Sequence, residues 1–166
     1  GRIEYDKRGN MVKLVCYDGY GKKTTGLNGW SEEVFTYDES GMRTSLSFYS
    51  LSGSPVVDKN LKYHKQVCTY NAMRLLSSVA FFGVDGKPIL VEGGYSCIKY
   101  RYNSQTQRIE TSYYGTDGTR ANNSSGFCRE VYIFRDGTEY KCEWYAASGK
   151  KLATAIRKDG QWNILR

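Results

Sequence analysis

Aromatic residues recur along this chain at a fixed period, and this periodicity constrains the fold more than any other feature of the sequence. The first aromatic site recurs in steps of 32, 33, 32 and 32 residues, at Tyr5, Tyr37, Tyr70, Tyr102 and Phe134. A second site follows about eleven residues later, and a glycine lies just beyond it, at Gly21, Gly53, Gly86, Gly118 and Gly149. A fixed period of this length indicates a stack of similar structural units.

A further aromatic site lies seven residues before the first one. It is occupied in four consecutive repeats by Trp30, Tyr63, Tyr95 and Phe127. Aromatic residues make up 14% of the chain, so chance does not account for several aromatic sites that share one period.

Each repeat predicts a β-hairpin followed by a longer connection. In the fourth repeat Ile98, Tyr100 and Tyr102 alternate with polar residues, which is typical of a half-buried strand. Turns follow at Asp-Gly and similar pairs, where aspartate begins the turn and glycine accepts positive φ. We therefore predict an all-β fold of repeated β-hairpins stacked into a curved antiparallel sheet or open β-solenoid. The single repeat domain, 1–166, divides roughly into 1–29, 30–62, 63–94, 95–126 and 127–161, with 162–166 starting a sixth repeat.

Two segments carry a resemblance to a known family. Tyr37-Asp38-x-x-Gly41 is followed by Phe48-Tyr49-x-x-x-Gly53-x-Pro55, and Tyr70-Asn71 by Phe81-Phe82-x-x-x-Gly86-x-Pro88. This pattern resembles the YD-repeat (RHS-like) proteins of bacteria, here with a longer period of about 32 residues. In the third and fourth repeats the first glycine is missing, and Met73 and Gln105 or Thr106 stand in its place. The resemblance implies a β-hairpin scaffold on a secreted or surface protein, and the aromatic-glycine rhythm is also similar to cell-wall-binding repeats.

The residues that could carry catalysis or bind a metal fit structural roles in the repeat. His64 is the only histidine, and it occupies the position of Ser31, Ser96 and Cys128 in other repeats. A zinc site would lack both ligands and spacing, since the five cysteines form no C-x-x-C pair. Of these cysteines, one pair could form a disulfide, and we expect most to be small buried side chains. We therefore predict no enzyme activity, no catalytic residues, no bound metal and no cofactor.

The best binding candidates are Trp30, Tyr63, Tyr95 and Phe127. Repeats stacked in register would place these rings in a ladder, which could stack on sugar faces or quaternary ammonium groups. The alternative is that they form the core between hairpins. Adjacent rings such as Phe48-Tyr49 should face opposite ways, because neighbouring residues on a strand do.

The net charge of +7 allows an anionic partner, but lysine and arginine are scattered in clusters no longer than two. We do not expect nucleic-acid binding, and no apolar run has the length of a membrane-spanning helix. The predicted function is a non-enzymatic repeat module, extracellular or on the cell surface, that scaffolds or binds a protein or polysaccharide partner. The alternative is carbohydrate binding through the aromatic ladder. We also expect the chain to belong to a longer repeat array.

Overall fold

The computed structural model describes residues 1–158 and 160–165, and these residues form β-strands joined by turns and loops. The strands are β1 (Arg2–Tyr5), β2 (Met11–Val15), β3 (Glu32–Tyr37), β4 (Arg43–Tyr49), β5 (Lys65–Tyr70), β6 (Leu76–Phe82), β7 (Cys97–Tyr102), β8 (Arg108–Tyr114), β9 (Arg129–Arg135), β10 (Thr138–Tyr145), β11 (Lys151–Lys158) and β12 (Gln161–Leu165). Their order in the sheet follows the chain from β1 to β12, with antiparallel neighbours. The predicted all-β fold of stacked antiparallel hairpins is confirmed.

The chain folds into two compact units. The N-terminal unit contains residues 1–69 and 79–91, and the C-terminal unit contains residues 70–78 and the described residues from 92 onward. The predicted repeat boundaries stay a prediction, and Arg166, at the end of the predicted sixth repeat, lies outside the described residues. The part of the chain that the structure describes contains no helix long and apolar enough to cross a lipid bilayer.

The first turn of the repeat is held by an aspartate or asparagine at its start. In the second repeat Oδ1 of Asp38 accepts the N–H groups of Ser40 and Met42. Asn103 makes the same contacts to Gln105 and Gln107 in the fourth repeat. Asp136, by contrast, lies in a two-residue turn with Gly137, where both residues have positive φ.

The fourth residue of this first turn has positive φ in each of four repeats, at Gly9, Gly41, Arg74 and Thr106. The sequence pattern placed Met73 near the glycine position of the third repeat, and this alignment is wrong by one residue. The turn bonds Arg74 N–H to the carbonyl of Asn71, which is the bond that Gly41 N–H makes to Asp38. A side chain therefore occupies a backbone conformation that favours glycine.

The tyrosine before this turn ties one hairpin to the previous one. Oη of Tyr37 donates to the carbonyl of Met11 at 2.8 Å, and Oη of Tyr102 donates to the carbonyl of Leu76 at 2.8 Å. In both cases the acceptor lies 26 residues earlier in the chain. The sheet register shifts immediately before each tyrosine, which gives a β-bulge at the same place in both repeats. The period in the sequence thus reflects repeated hydrogen bonding between hairpins.

The adjacent rings in β4 divide between the two faces of the sheet, as the alternation predicts. Phe48 is 1% exposed and pairs across the strands with Glu33, whereas Tyr49 pairs with Glu32 on the opposite face. Tyr49 is only half-buried. Phe48 therefore lies in the aromatic core on one face of the N-terminal unit, and Tyr49 lies beside Glu32 on the other face.

Candidate functional site

The four predicted ladder rings alternate with the first ring of each aromatic pair. In the N-terminal unit Trp30, Phe48, Tyr63 and Phe81 form a continuous row, with ring centroids 5.6, 6.0 and 5.0 Å apart. Rings at these distances pack directly against one another. Each hairpin thus supplies one ring between two ladder positions, so the row is twice as dense as the predicted ladder.

The C-terminal unit has a row of the same kind. Tyr95, Tyr113, Phe127 and Trp144 follow one another with centroid distances of 5.1, 5.9 and 6.4 Å. The sequence had singled out Tyr95 and Phe127 but had treated the rings between them as a separate set. In this unit the ladder rings and the rings between them form one row of packed rings.

The ladder rings differ in their exposure. Tyr63 is 6% exposed, and its burial raises the pKa of its hydroxyl to about 12. Trp30, Tyr95 and Phe127 are half-buried. Their predicted role in binding therefore stays a prediction, and Tyr63 is the member with the least surface to offer a ligand.

A buried aspartate anchors the first ring of the N-terminal row. Oδ2 of Asp58 accepts a 2.7 Å hydrogen bond from Nε1 of Trp30, and Oδ1 accepts the N–H groups of Asn60 and Leu61. Asp58 is 1% exposed. Because these three donors are neutral groups of the fold, the carboxylate of Asp58 orients the indole ring and holds the turn that leads to Tyr63.

A glutamate plays a similar part in the C-terminal row. Glu130 accepts hydrogen bonds from Nε1 of Trp144 at 3.0 Å and from the hydroxyls of Tyr113 and Tyr132 at 3.3 and 3.1 Å. Burial, together with the nearby charge of Glu130, raises the pKa of Tyr132 to about 12. The three donors therefore stay protonated at neutral pH and fix their rings around one carboxylate.

The predicted equivalence of Ser31, His64, Ser96 and Cys128 is visible in the backbone. Their N–H groups donate to the carbonyls of Tyr49, Phe82, Tyr114 and Tyr145, respectively. All four residues are buried. This position links the connection of one repeat to the hairpin that follows it.

The side chain of His64 is engaged within this scaffold. Its Nδ1 lies 3.1 Å from the carbonyl of Val56, and its ring packs edge-on against Tyr49 at 5.4 Å. A cleft of about 270 Å³ opens beside it, lined also by Lys65, Phe82 and small or apolar residues. Ser96 makes a comparable contact in its own repeat, where its hydroxyl donates to the carbonyl of Gly115 at 2.7 Å.

The cysteines are free thiols in this structure. Cys68, Cys128 and Cys142 are buried, while Cys16 and Cys97 are half-buried. Burial and the nearby charges of Glu130 and Glu139 raise the pKa of Cys142 to about 12, so its thiol is protonated at neutral pH. The expectation of small buried side chains holds fully for three of the five.

The opposite face of the C-terminal unit carries a group of lysine and arginine side chains. We call it the basic face and define it by Lys99, Arg101, Arg120, Arg129, Lys141 and Lys151. Two glutamates lie among these cations. Glu110 bonds to Arg101 at 3.3 Å and to Arg120 at 3.6 Å, and Glu143 bonds to Lys141 at 2.7 Å and to Lys151 at 3.3 Å.

The remaining two cations of the basic face lie on tyrosine rings. Nζ of Lys99 is 4.6 Å from the ring centroid of Tyr114, and the guanidinium carbon of Arg129 is 4.2 Å from that of Tyr145. Neither cation has a carboxylate partner among residues 1–158 and 160–165. In the sequence these six cations are separated by up to 52 residues, which is why they read as scattered.

The same face of the N-terminal unit has a different charge arrangement. Glu32 occupies the position in its repeat that Arg129 occupies in a later one. Lys23 and Lys13 lie 2.7 and 3.8 Å from its carboxylate, and the hydrogen bond from Lys23 lowers its pKa. Lys13 and Lys23 are therefore paired with the carboxylate of Glu32. In the later repeat the equivalent position holds the cation Arg129.

Comparison with known proteins leaves the chain without a family assignment, because no family model and no curated protein matches it.

Proposed function

We propose that this chain is a non-enzymatic β-hairpin repeat module of the YD-repeat type that serves as a scaffold and binds a polymer or protein partner outside the cell. The observation that carries the proposal is the repeated use of polar side chains to build the fold. Asp38, Asn103 and Asp58 bond to backbone N–H groups, and Ser96 and His64 bond to carbonyls. Groups that could take part in chemistry are thus committed to backbone contacts, repeat after repeat.

The YD-repeat assignment is supported by the tyrosine and the aspartate or asparagine that follows it. In Tyr37-Asp38 the tyrosine bonds to the previous hairpin and the aspartate closes the turn. Tyr102-Asn103 makes the same two contacts. The dipeptide therefore performs two linked structural tasks, which gives a physical reason for its periodic recurrence.

The test is binding without turnover. The intact chain is incubated with a panel of insoluble cell-surface polysaccharides and with immobilised peptidoglycan, and the bound protein and soluble products are measured after sedimentation. We expect retention on at least one polymer with no release of fragments. Fragment release that is abolished in His64→Gln would overturn the non-enzymatic assignment, and absence of binding to every polymer would overturn the polymer-binding part.

A second candidate, carbohydrate binding through the aromatic ladder, is favoured by the incomplete burial of Trp30, Tyr95 and Phe127. Half-exposed rings in a regular row can stack on successive sugar faces. Glycan binding that Tyr95→Leu weakens while the fold is retained by circular dichroism would support this candidate. Equal binding by the variant and the parent chain would exclude Tyr95 from such a site.

A further inference from the structure

We infer that the basic face of the C-terminal unit binds an anionic polysaccharide, with sulfate or carboxylate groups resting between Lys99 and Arg129. The inference rests on the proposed function, because it names the class of polymer for a binding module. It assigns that polymer to the face opposite the aromatic row of the same unit. Cross-strand register, ion pairing and ring contacts carry it, as follows.

The register places the central cations in one row across five strands. Lys99 pairs with Ser112, Ser112 with Arg129, Arg129 with Tyr145, and Tyr145 with Lys151. Cross-strand partners share a face, and neighbouring strands lie about 4.8 Å apart. The row therefore presents a cation at every second strand, at intervals of about 10 Å.

Ser112 forms the floor between the first two cations. It is 2% exposed, and its hydroxyl donates to Glu110 at 2.8 Å. Ser112 separates Lys99, which lies on Tyr114, from Arg129, which lies on Tyr145, and its low exposure shows that neighbouring side chains cover it. An acidic group above Ser112 would face both cations at once.

Arg129 lies on the ring of Tyr145 and has no carboxylate partner among the described residues. Its Nε is buried, so an external anion would bind to the terminal Nη groups. Glu110 and Glu143 are each already bound by two other cations of this face. An external sulfate or carboxylate would supply the charge partner that the described part of the chain does not, and arginine binds such groups through paired N–H donors.

Two observations favour a glycan over a single-stranded nucleic acid. Non-specific single-strand binding relies on open aromatic rings that stack on bases, but here Tyr114 and Tyr145 each carry a cation of the chain itself. The spacing also matters, because a glycan with an acidic group on every second sugar repeats its charge at a wide interval. Successive phosphates of a nucleic acid strand are more closely spaced. The wide cation interval of the row suits the glycan.

The test uses calorimetric titration of the full chain with four probes: hyaluronan oligomers, which carry a carboxylate on every second sugar, dextran sulfate oligomers as a densely charged comparison, neutral dextran and an oligo-dT strand of matched charge. We expect binding to at least one acidic glycan, none to dextran, and weaker binding to oligo-dT. Lys99→Gln combined with Arg129→Gln should weaken glycan binding about tenfold and reduce its dependence on salt concentration. The matched control is Lys7→Gln with Lys22→Gln, which removes the same charge from exposed turns and should leave binding within about twofold.

Folding of the variants is checked separately by thermal unfolding. If loss of Arg129 disrupts the fold, Lys99→Gln alone and Arg129→Lys provide the comparison, because Lys99 is exposed and Arg129→Lys keeps the charge. Each should weaken glycan binding more than the control. Equal loss in the control, or tighter binding to oligo-dT than to both acidic glycans, would overturn the inference. Retention on a neutral polymer without any affinity for acidic glycans would overturn it while leaving the proposed binding module intact.

Discussion

Nε1 of Trp30 donates a 2.7 Å hydrogen bond to Oδ2 of Asp58, a residue 28 positions later that is 1% exposed. The other carboxylate oxygen holds the N–H groups of Asn60 and Leu61. Asp58→Ala should therefore lower the free energy of unfolding by about 3 kcal/mol. The substitution leaves three N–H donors without an acceptor, beside the space vacated by the carboxylate. Asp58→Asn keeps an acceptor and should cost about 1 kcal/mol.

Urea unfolding followed by tryptophan fluorescence measures both effects, since Trp30 itself reports on the site. The matched control is Asp38→Ala, which removes two turn bonds at a more open position. Its cost should be about 1 kcal/mol. An equal loss for Asp58→Ala and Asp38→Ala would show that the indole contact contributes little.

The contact between Trp30 and Asp58 marks a limit of the sequence prediction. Periodicity identified Trp30 as a repeated ring, because its equivalents share the same position. Asp58 lies in the connection of the longer 33-residue step, and its backbone equivalents are Gly26 in the first repeat and Asn123 in the fourth. Because the residue type at this position changes, no pattern singled out Asp58. Repeats reveal what each unit shares, whereas the buried partner of one particular ring depends on packing that occurs only once.

Thr106 occupies a backbone conformation that suits glycine better. Its φ is 63°, whereas the equivalent Gly41 has φ of 79°. A β-branched residue at positive φ is strained, so Thr106→Gly should raise the free energy of unfolding by about 0.5 kcal/mol once the greater freedom of the unfolded chain is subtracted. Chemical denaturation of the parent chain and the variant measures the difference.

The reverse substitution provides the control. In Gly41→Ala the nearest atom to the added Cβ is Oδ1 of Asn10 at 3.9 Å, so only the backbone conformation opposes the change. We expect a loss of about 1 kcal/mol. A stabilised Gly41→Ala variant would contradict the argument from φ at both positions.

The turns also show why the strand pattern was predictable while the exact alignment was not. In the second repeat, Asp38 and Gly41 are residue types that indicate a turn in the sequence. Asn71 and Arg74 preserve the same hydrogen bonds with weaker residue types, because the side chain of Asn71 closes the turn and its geometry then imposes φ of 61° on Arg74. The hydrogen-bonded turn is kept even where the glycine signal is lost.

The adjacent rings of β4 give a matched pair of positions on opposite faces. Phe48 is 1% exposed and packs between Trp30 and Tyr63, whereas Tyr49 is half-buried. Phe48→Ala should lower the free energy of unfolding by about 4 kcal/mol through lost burial and cavity formation. Tyr49→Ala should cost about half as much. Thermal and urea unfolding of the two variants will distinguish them, and similar losses would argue against a single buried aromatic face.

His64 should carry its proton on Nδ1. That nitrogen lies 3.1 Å from the carbonyl of Val56, and a carbonyl can only accept, so the neutral ring must donate from Nδ1. Because His64 is the sole histidine, its two ring nitrogens give an unambiguous pair of ¹⁵N signals in a long-range proton–nitrogen spectrum at pH 8. Detection of the Nε2-protonated tautomer would contradict the contact. The spectrum of His64 in a Ser96→Ala variant serves as the control and should be unchanged.

Glu143 should make the stability of the C-terminal unit depend on pH in the acidic range. The hydrogen bond from Lys141, followed by those from Tyr145 and Lys151, lowers the pKa of this carboxyl from 4.5 to about 2. Its contribution is therefore complete above pH 4.5 and is lost as the pH falls from there to about 2. Glu143→Gln should lower the free energy of unfolding by about 2 kcal/mol at pH 7. The difference in stability from the parent chain should disappear as the pH falls from 4.5 to about 2.

Denaturant midpoints measured from pH 7 to pH 2 test this prediction. The control is Glu4→Gln on exposed β1, which should show no such pH-dependent difference. A gap that persists unchanged at pH 2 would mean that packing, and not the charge of Glu143, stabilises this face.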